Sequence, residues 1–228
     1  MPQVPLHKLA SGTQHTCGLN STNYPECWGL TAVTSPTMQF SSLGVSNSYF
    51  CGIRMNDSMV QCWGDTQGWE APPSQRFLSI VGGTYFMCGI TVNTTIACWK
   101  HPQSVNITGY PSNTGYTQIS ANTFHACAVN YDTSISCWGE DYSGSLQVPA
   151  YKYDRVEVGY KYTCATGRFG LYDTCWGEFG GSLDFDGPVV AHKGAATYCT
   201  LNKEDNTMTC SDSSMYAVPT SCTCMKFQ

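Results

Sequence analysis

The chain has 228 residues, enough for one large all-β domain or two ordinary ones. A formal net charge of −5 with only 11 Lys and Arg argues against nucleic acid, which needs dense phosphate-neutralising charge, and against an anionic membrane surface. No run of about 18 apolar residues is present to span a bilayer as a helix, and the start MPQVPLHKLASG lacks the apolar core of a signal peptide, so the sequence reads as a mature or trimmed chain or as one exported by another route.

Thr, Ser, Tyr, Val and Gly are abundant while Leu and Ala are scarce, which favours strands and turns over helices. In chain order, residues 15–29 (HTCGLNSTNYPECWG) introduce a unit that returns as YFCGIRMNDSMVQCWG (49–64), YFMCGITVNTTIACWK (85–100), FHACAVNYDTSISCWGE (124–140) and KYTCATGRFGLYDTCWGE (161–178). A weaker copy, ATYCTLNKEDNTMTCSDS, fills 196–213. The first cysteines are Cys17, Cys51, Cys88, Cys127, Cys164 and Cys199; their partners Cys27, Cys62, Cys98, Cys137, Cys175 and Cys210 follow at 10 or 11 positions. Twelve of the 14 cysteines therefore obey one rule.

Aligned on the first cysteine, Leu6, Phe40, Phe77, Tyr116 and Tyr153 share one upstream position and Leu9, Leu43, Ile80, Ile119 and Val156 another. Two beyond it stand Leu19, Ile53, Ile90, Val129 and Leu201, with Thr166 the exception. Cysteine and the residue two further on share a face under period-2 alternation, which predicts a strand. A polar turn rich in Asn, Asp, Ser or Gly and then Cys-Trp close a second, antiparallel strand.

A period in the upper thirties with several short strands per unit predicts an all-β fold, a β-propeller of six blades with one disulfide hairpin per blade. The alternative is seven blades, with a degenerate one made from the two termini. The repeats run approximately 1–36, 37–74, 75–112, 113–150, 151–187 and 188–218 within a single domain over 1–228. A tail at 219–228 carries Cys-x-Cys. Trp28, Trp63, Trp99, Trp138 and Trp176 are expected to pack between neighbouring blades. The sixth unit has Ser211-Asp212 in place of Trp-Gly, so it is looser or sits at the ring closure.

Zinc would want short C-x2-4-C knuckles, and a redox centre C-x-x-C at a helix start; neither spacing occurs within the repeats. Cross-strand disulfides within each hairpin remain, because opposed residues of an antiparallel pair lie within bridging distance. Such bridges need an oxidising compartment, predicting a secreted protein or one facing the extracellular side, cell wall or matrix. The sequons at Asn20, Asn56, Asn93 and Asn106 agree, and the first three fall on the hairpin tips, predicting a glycoprotein. Cys222 and Cys224 stand outside the rule. They pair with each other, tie down the tail, bridge to another chain or open a further segment; the sequence leaves these open.

The pattern in SLGVSNSYFCGIRMNDSMVQCWGD and HACAVNYDTSISCWGEDYSGSLQVP resembles the regulator-of-chromosome-condensation (RCC1-like) repeat. It is more closely similar to the cysteine-bearing version in the ectodomains of plant crinkly-type receptor kinases. The resemblance covers nearly the whole chain and implies a propeller that recognises partners from its loop faces. It does not import one function, since such repeats carry exchange factors, inhibitors and receptors alike. Relatives usually have seven repeats where six are counted here, and no kinase or transmembrane helix accompanies these.

No G-x-S-x-G elbow, phosphate loop or H-E-x-x-H appears, so no catalytic residue, metal site or cofactor is assigned. His15 and His125 occupy a position filled elsewhere by Tyr49, Phe86 and Tyr162, predicting packing aromatics with a metal or general-base role as the minor reading. Glu140-Asp141, Glu178 and Asp184-x-Asp186 read as solvated loop charges, with calcium binding or paired carboxylates as the minor reading. The loops after each Trp-Gly vary most and carry Trp69, His101, Tyr110, Tyr142 and Phe179. These five are the candidate binding residues, although loop aromatics equally suit packing onto the blades. The longest loop, 100–115, begins Lys100-His101-Pro102 and is the first target.

The function expected is non-catalytic: an extracellular module binding a peptide, glycan or protein partner, without nucleic acid or membrane insertion. The alternatives are a structural subunit of a wall, matrix or filament, self-associating through Cys222 or Cys224, and an enzyme using the central pocket of a propeller.

Overall fold

The computed structural model describes residues 6–12, 14–104, 106–168 and 173–178, together with the backbone of 189–193, 197–202, 207–210 and 215–217. Every element among them is a strand. The first repeat gives β1 (Leu6–Ser11), β2 (His15–Asn20) and β3 (Pro25–Gly29); the second gives β4 (Phe40–Val45), β5 (Tyr49–Arg54) and β6 (Val60–Gly64). The third gives β7 (Phe77–Gly82), β8 (Phe86–Thr91) and β9 (Ile96–Lys100), and the fourth β10 (Tyr116–Ala121), β11 (His125–Asn130) and β12 (Ile135–Gly139). The fifth gives β13 (Tyr153–Val158), β14 (Tyr162–Gly167) and β15 (Asp173–Gly177). The sixth gives β16 (Val189–Lys193), β17 (Thr197–Asn202), β18 (Thr207–Cys210) and β19 (Met215–Ala217).

Each of the first five repeats is one three-stranded sheet in sequence order, and the sixth is a four-stranded sheet. The described residues fall into two units. One covers the described part of 1–105 with 111–119; the other covers 106–110 and the described part of 120–223, so the division falls inside β10.

The repeat rule is a rule of register. Cys17 lies opposite Cys27, Cys51 opposite Cys62, Cys88 opposite Cys98, Cys127 opposite Cys137 and Cys164 opposite Cys175. All five pairs are disulfides, with Cα atoms 4.0 to 4.1 Å apart. Cys199 and Cys210 oppose each other in the same backbone register, their side chains lying outside the described residues, as do Cys222 and Cys224. Period-2 alternation then places Leu19, Ile53, Ile90 and Val129 on the buried face beside the first cysteine. In the first strand of repeats one, two, three, five and six the ladder slips near the start, a bulge that bends the strand.

The core forms where one repeat meets the next. In the first unit, Cys17 and Leu19 of repeat one pack with Phe40, Leu43, Val45 and Phe50 of repeat two, and Trp63 covers them. Cys51 and Ile53 meet Phe77, Ile80, Met87 and Trp99 in the same way. In the second unit, Cys127 and Val129 meet Tyr153, Val156 and Val158, with Trp176 against them. Each such Trp also contacts the leading aromatic of its own repeat, as in Phe40–Trp63 at 5.3 Å and Phe77–Trp99 at 5.9 Å between centroids. Disulfide and indole therefore bury one another across the repeat boundary, which a lone repeat could not do.

Leu9 departs from the repeat alignment. It is 61 % exposed, whereas Leu43, Ile80, Ile119 and Val156 at the aligned position are buried. The slip in β1 spans His7 to Ala10 and includes Lys8 at φ 52°, which turns this stretch away from the regular ladder.

Adjacent repeats approach closely enough to demand glycine. A Cβ on Gly82 would collide with the Val45 carbonyl of the preceding repeat, a backbone group that cannot rotate aside. Gly82→Ala is expected to cost about 3 kcal/mol by overpacking, and thermal melts should show the midpoint falling by roughly 6–12 °C. An unchanged midpoint would contradict the close approach.

Candidate functional site

One end of each of the first five sheets is built by a repeated hydrogen bond. The residue following Trp-Gly (Trp-Lys in repeat three) donates its backbone N–H to the carbonyl of the residue three before the first cysteine. The pairs are Leu30 to Gln14 at 3.1 Å, Asp65 to Ser48 at 2.9 Å, His101 to Tyr85 at 2.9 Å, Glu140 to Phe124 at 3.0 Å and Glu178 to Lys161 at 3.0 Å. The backbone is constant and the side chains are not. A fixed scaffold that presents variable side chains is how loops carry recognition.

In the first unit this end gathers Trp69 and His101, two of the five candidate binding residues. Trp69 stacks on buried Tyr49 at 3.9 Å with planes 10° apart. His101 stands 5.9 Å from the Trp69 ring and 5.7 Å from that of Tyr85. Gly68, at φ +75°, lets the chain pass close to His101: an added Cβ would lie 2.7 Å from Nε2. Burial pushes the Tyr49 phenol above its ordinary pKa, so it stays neutral beneath the indole. These rings line a depression of about 160 Å³ completed by Asn47, Asp65, Gln67 and Gln103. Trp69 also borders a second depression of about 280 Å³ with Val60, Glu70 and Pro72. A larger one, about 410 Å³, is bordered by His15, Thr31, Val33, Phe50 and Asp65.

The second unit holds a cluster of matching repeat positions. Tyr142, from the loop after β12, packs on Phe124 at 4.6 Å, and Phe124 also meets Tyr160 at 5.0 Å. Lys161 Nζ lies 5.1 Å from the Tyr142 ring centroid and 5.8 Å from that of Tyr160. It donates to Glu178 at 3.0 Å, and that hydrogen bond holds the ammonium above its ordinary pKa. Tyr110 is 39 % exposed and belongs to neither cluster. Phe179 lies outside the described residues, as do Asp184 and Asp186.

The two packing histidines are buried. His15 sets Nδ1 3.0 Å from the Asn47 carbonyl and Nε2 3.0 Å from Thr31 Oγ1. His125 bonds Thr163 at 2.8 Å. Of the loop acids, Glu140 accepts from the Asn106 N–H and Asp141 from the Leu146 N–H. Among the described residues no three His, Cys, Asp or Glu are grouped so as to hold a metal ion. Of the sequon asparagines, Asn56 and Asn93 stand on hairpin turns, Asn20 ends β2 and Asn106 lies in the loop after β9. Asn56 and Asn93 are exposed, and Asn106 is exposed with Oδ1 accepting the Thr108 hydroxyl at 2.6 Å. Asn20 is half-buried and engaged with Thr22, Tyr24 and Glu26.

Sequence reasoning missed Tyr85, Phe124, Tyr160 and Lys161. For all but Tyr160, which lies one residue earlier, the signal was available three residues before the first cysteine, where Gln14, Ser48, Tyr85, Phe124 and Lys161 change type completely beside an otherwise regular strand.

No family model matches the chain. Over 63 residues, 28 % of the chain, it is 33 % identical to the serine/threonine-protein kinase-like protein CCR4 of Arabidopsis thaliana, of which the match spans 8 %. Its structure is similar to the CRINKLY WD40 ectodomain of the Arabidopsis thaliana receptor kinase ACR4, at TM-score 0.62 and 25 % identity over 75 % of this chain and 62 % of that one. It is also similar to the entire ectodomain of the Physcomitrella patens receptor kinase CR4, at TM-score 0.78 and 24 % identity over 92 % and 62 %. The fold is shared with Prp20p, the RCC1 of Saccharomyces cerevisiae, at TM-score 0.60 and 15 % identity over 75 % and 57 %. The chain thus spans less than two thirds of each of these proteins. It is an all-β protein of the propeller class, stapled by a disulfide in each of its first five repeats, and those repeats are RCC1-like and similar to the ones in crinkly-type receptor kinase ectodomains.

Proposed function

We propose that this protein is an extracellular, non-catalytic recognition module whose repeats form one domain and whose variable loops after Trp-Gly bind a partner. The observation that carries the reading is the half-exposed aromatic group of Trp69, His101 and Tyr85, held at the mouth of a depression by a constant backbone frame. Aromatic side chains offer large contact area at low entropic cost, which makes them anchors in interfaces. The disulfides require an oxidising compartment, and the similarity to receptor ectodomains points to the same side of the membrane. Asn56 and Asn93 would carry glycans on hairpin turns, at the other end of their strands from the aromatic group, and Asn106 would carry one on an exposed loop, with Asn20 the least accessible of the four.

The test is a screen of the glycosylated protein on arrays of immobilised peptides and glycans, repeated with Trp69→Ala/His101→Ala. The variant should fold, by far-UV circular dichroism, and lose at least tenfold in affinity for whatever the parent retains, as expected for two anchors. Equal binding by parent and variant would refute the assignment of this surface.

A further inference from the structure

The two aromatic clusters occupy corresponding places in the repeat, and one of them is filled. In the second unit the loop aromatic Tyr142 is met by Lys161, three before the first cysteine of the next repeat, and Glu178 follows that repeat's Trp-Gly. In the first unit the loop aromatic is Trp69, and the same two positions hold Tyr85 and His101. The ammonium has been replaced by a ring, and an open depression of about 160 Å³ stands in front of it. Its lining includes Asp65, whose Oδ1 accepts the Gln67 N–H at 3.3 Å, and no lysine or arginine.

We propose that this depression receives the lysine or arginine side chain of a peptide partner, which takes up against Trp69, Tyr85 and Asp65 the role that Lys161 plays internally against Tyr142 and Glu178. The inference rests on the recognition reading above and supplies the chemistry of its ligand. Three considerations carry it. A cation within about 6 Å of an aromatic centroid is attracted by the ring quadrupole, and an indole is the strongest such partner. The Lys161 contacts show that this scaffold seats an ammonium at this level of the repeat. The local charge is complementary, since Asp65 is exposed at the rim and the chain as a whole carries −5.

The probes are the capped tripeptide Gly-Arg-Gly, the same peptide with citrulline in place of arginine, and N-acetylglucosamine. The readout is the indole N–H resonance of Trp69, assigned by its loss in Trp69→Ala. The arginine peptide should shift this resonance saturably, with citrulline at least tenfold weaker. Asp65→Asn should weaken the arginine peptide about fivefold and flatten its salt dependence. Tyr85→Lys restores the ammonium of the filled cluster and should abolish the shift while leaving the circular dichroism spectrum intact. Citrulline binding as well as arginine, or a Trp69 shift with N-acetylglucosamine alone, would overturn the proposal. If the arginine peptide fails while the array partner still depends on Trp69 and His101, the cationic ligand is wrong and the recognition surface stands. If neither depends on them, both fall.

Discussion

Reduction of the disulfides is expected to unfold this protein near room temperature without added denaturant. The five observed bridges close separate loops of 10 or 11 residues, with no loop nested in another. On the chain-entropy model each constrains the unfolded chain by about 3 kcal/mol. Because the loops do not overlap, their contributions add to roughly 15 kcal/mol. Native domains are stable by about 5–15 kcal/mol in total, so removing that constraint consumes the whole margin. The loss is not only entropic. Cys17, Cys51 and Cys127 are fully buried against the leading aromatic of the next repeat, so two separate thiols would disturb the cluster that joins the repeats. Near-UV circular dichroism of the tryptophans, followed through a thiol titration with alkylation to count free cysteines, should show the native signal collapsing as bridges open. Removing one bridge by Cys88→Ala/Cys98→Ala should cost about 3 kcal/mol by urea unfolding. A fully alkylated chain that retains its tryptophan signal would contradict the account.

What the sequence revealed and what it hid divide along the same line. Anything fixed by the repeat could be read directly: the opposed cysteines, the strand pair around each polar turn, and the burial of Leu19, Ile53, Ile90 and Val129. Six independent copies average away local ambiguity, so a pattern too weak for one strand becomes decisive. The bulge in β4 and β7 was not legible, because it shifts register without leaving a residue signature. The site was half legible. Trp69 and His101 stood out as aromatics in a variable loop, and the structure brings them together. Tyr85 did not stand out, because it lies beside Phe86 and the pattern of a single strand cannot separate a packing ring from a rim ring. That distinction is tertiary: Phe86 is fully buried, while Tyr85 borders the depression.

Acidification should destabilise the protein through His125, one of the two residues whose type breaks the row of packing aromatics. The ring is fully buried in the second unit. The Thr163 hydroxyl donates to the Ser145 carbonyl at 3.1 Å, so it accepts from His125 Nε2–H at 2.8 Å and the neutral ring carries its proton on Nε2. Nδ1 has no hydrogen-bond partner, and a second proton there would be a buried, unpaired charge. Burial accordingly drives the pKa from 6.5 down to about 4, with Asp141 opposing the shift. The folded state resists protonation that the unfolded chain accepts. Stability from this group is therefore complete above pH 6.5 and is lost as the pH falls from there towards 4. At about 1.4 kcal/mol per pH unit, the loss approaches roughly 3 kcal/mol. His125→Phe introduces the residue found at the aligned position 86, where it is fully buried. The variant's absolute stability will reflect the different ring, but its slope between pH 6.5 and pH 4 should flatten by most of that amount relative to the parent in urea unfolding. Parallel slopes would show that His125 does not titrate with folding, and that the acid response belongs to other groups.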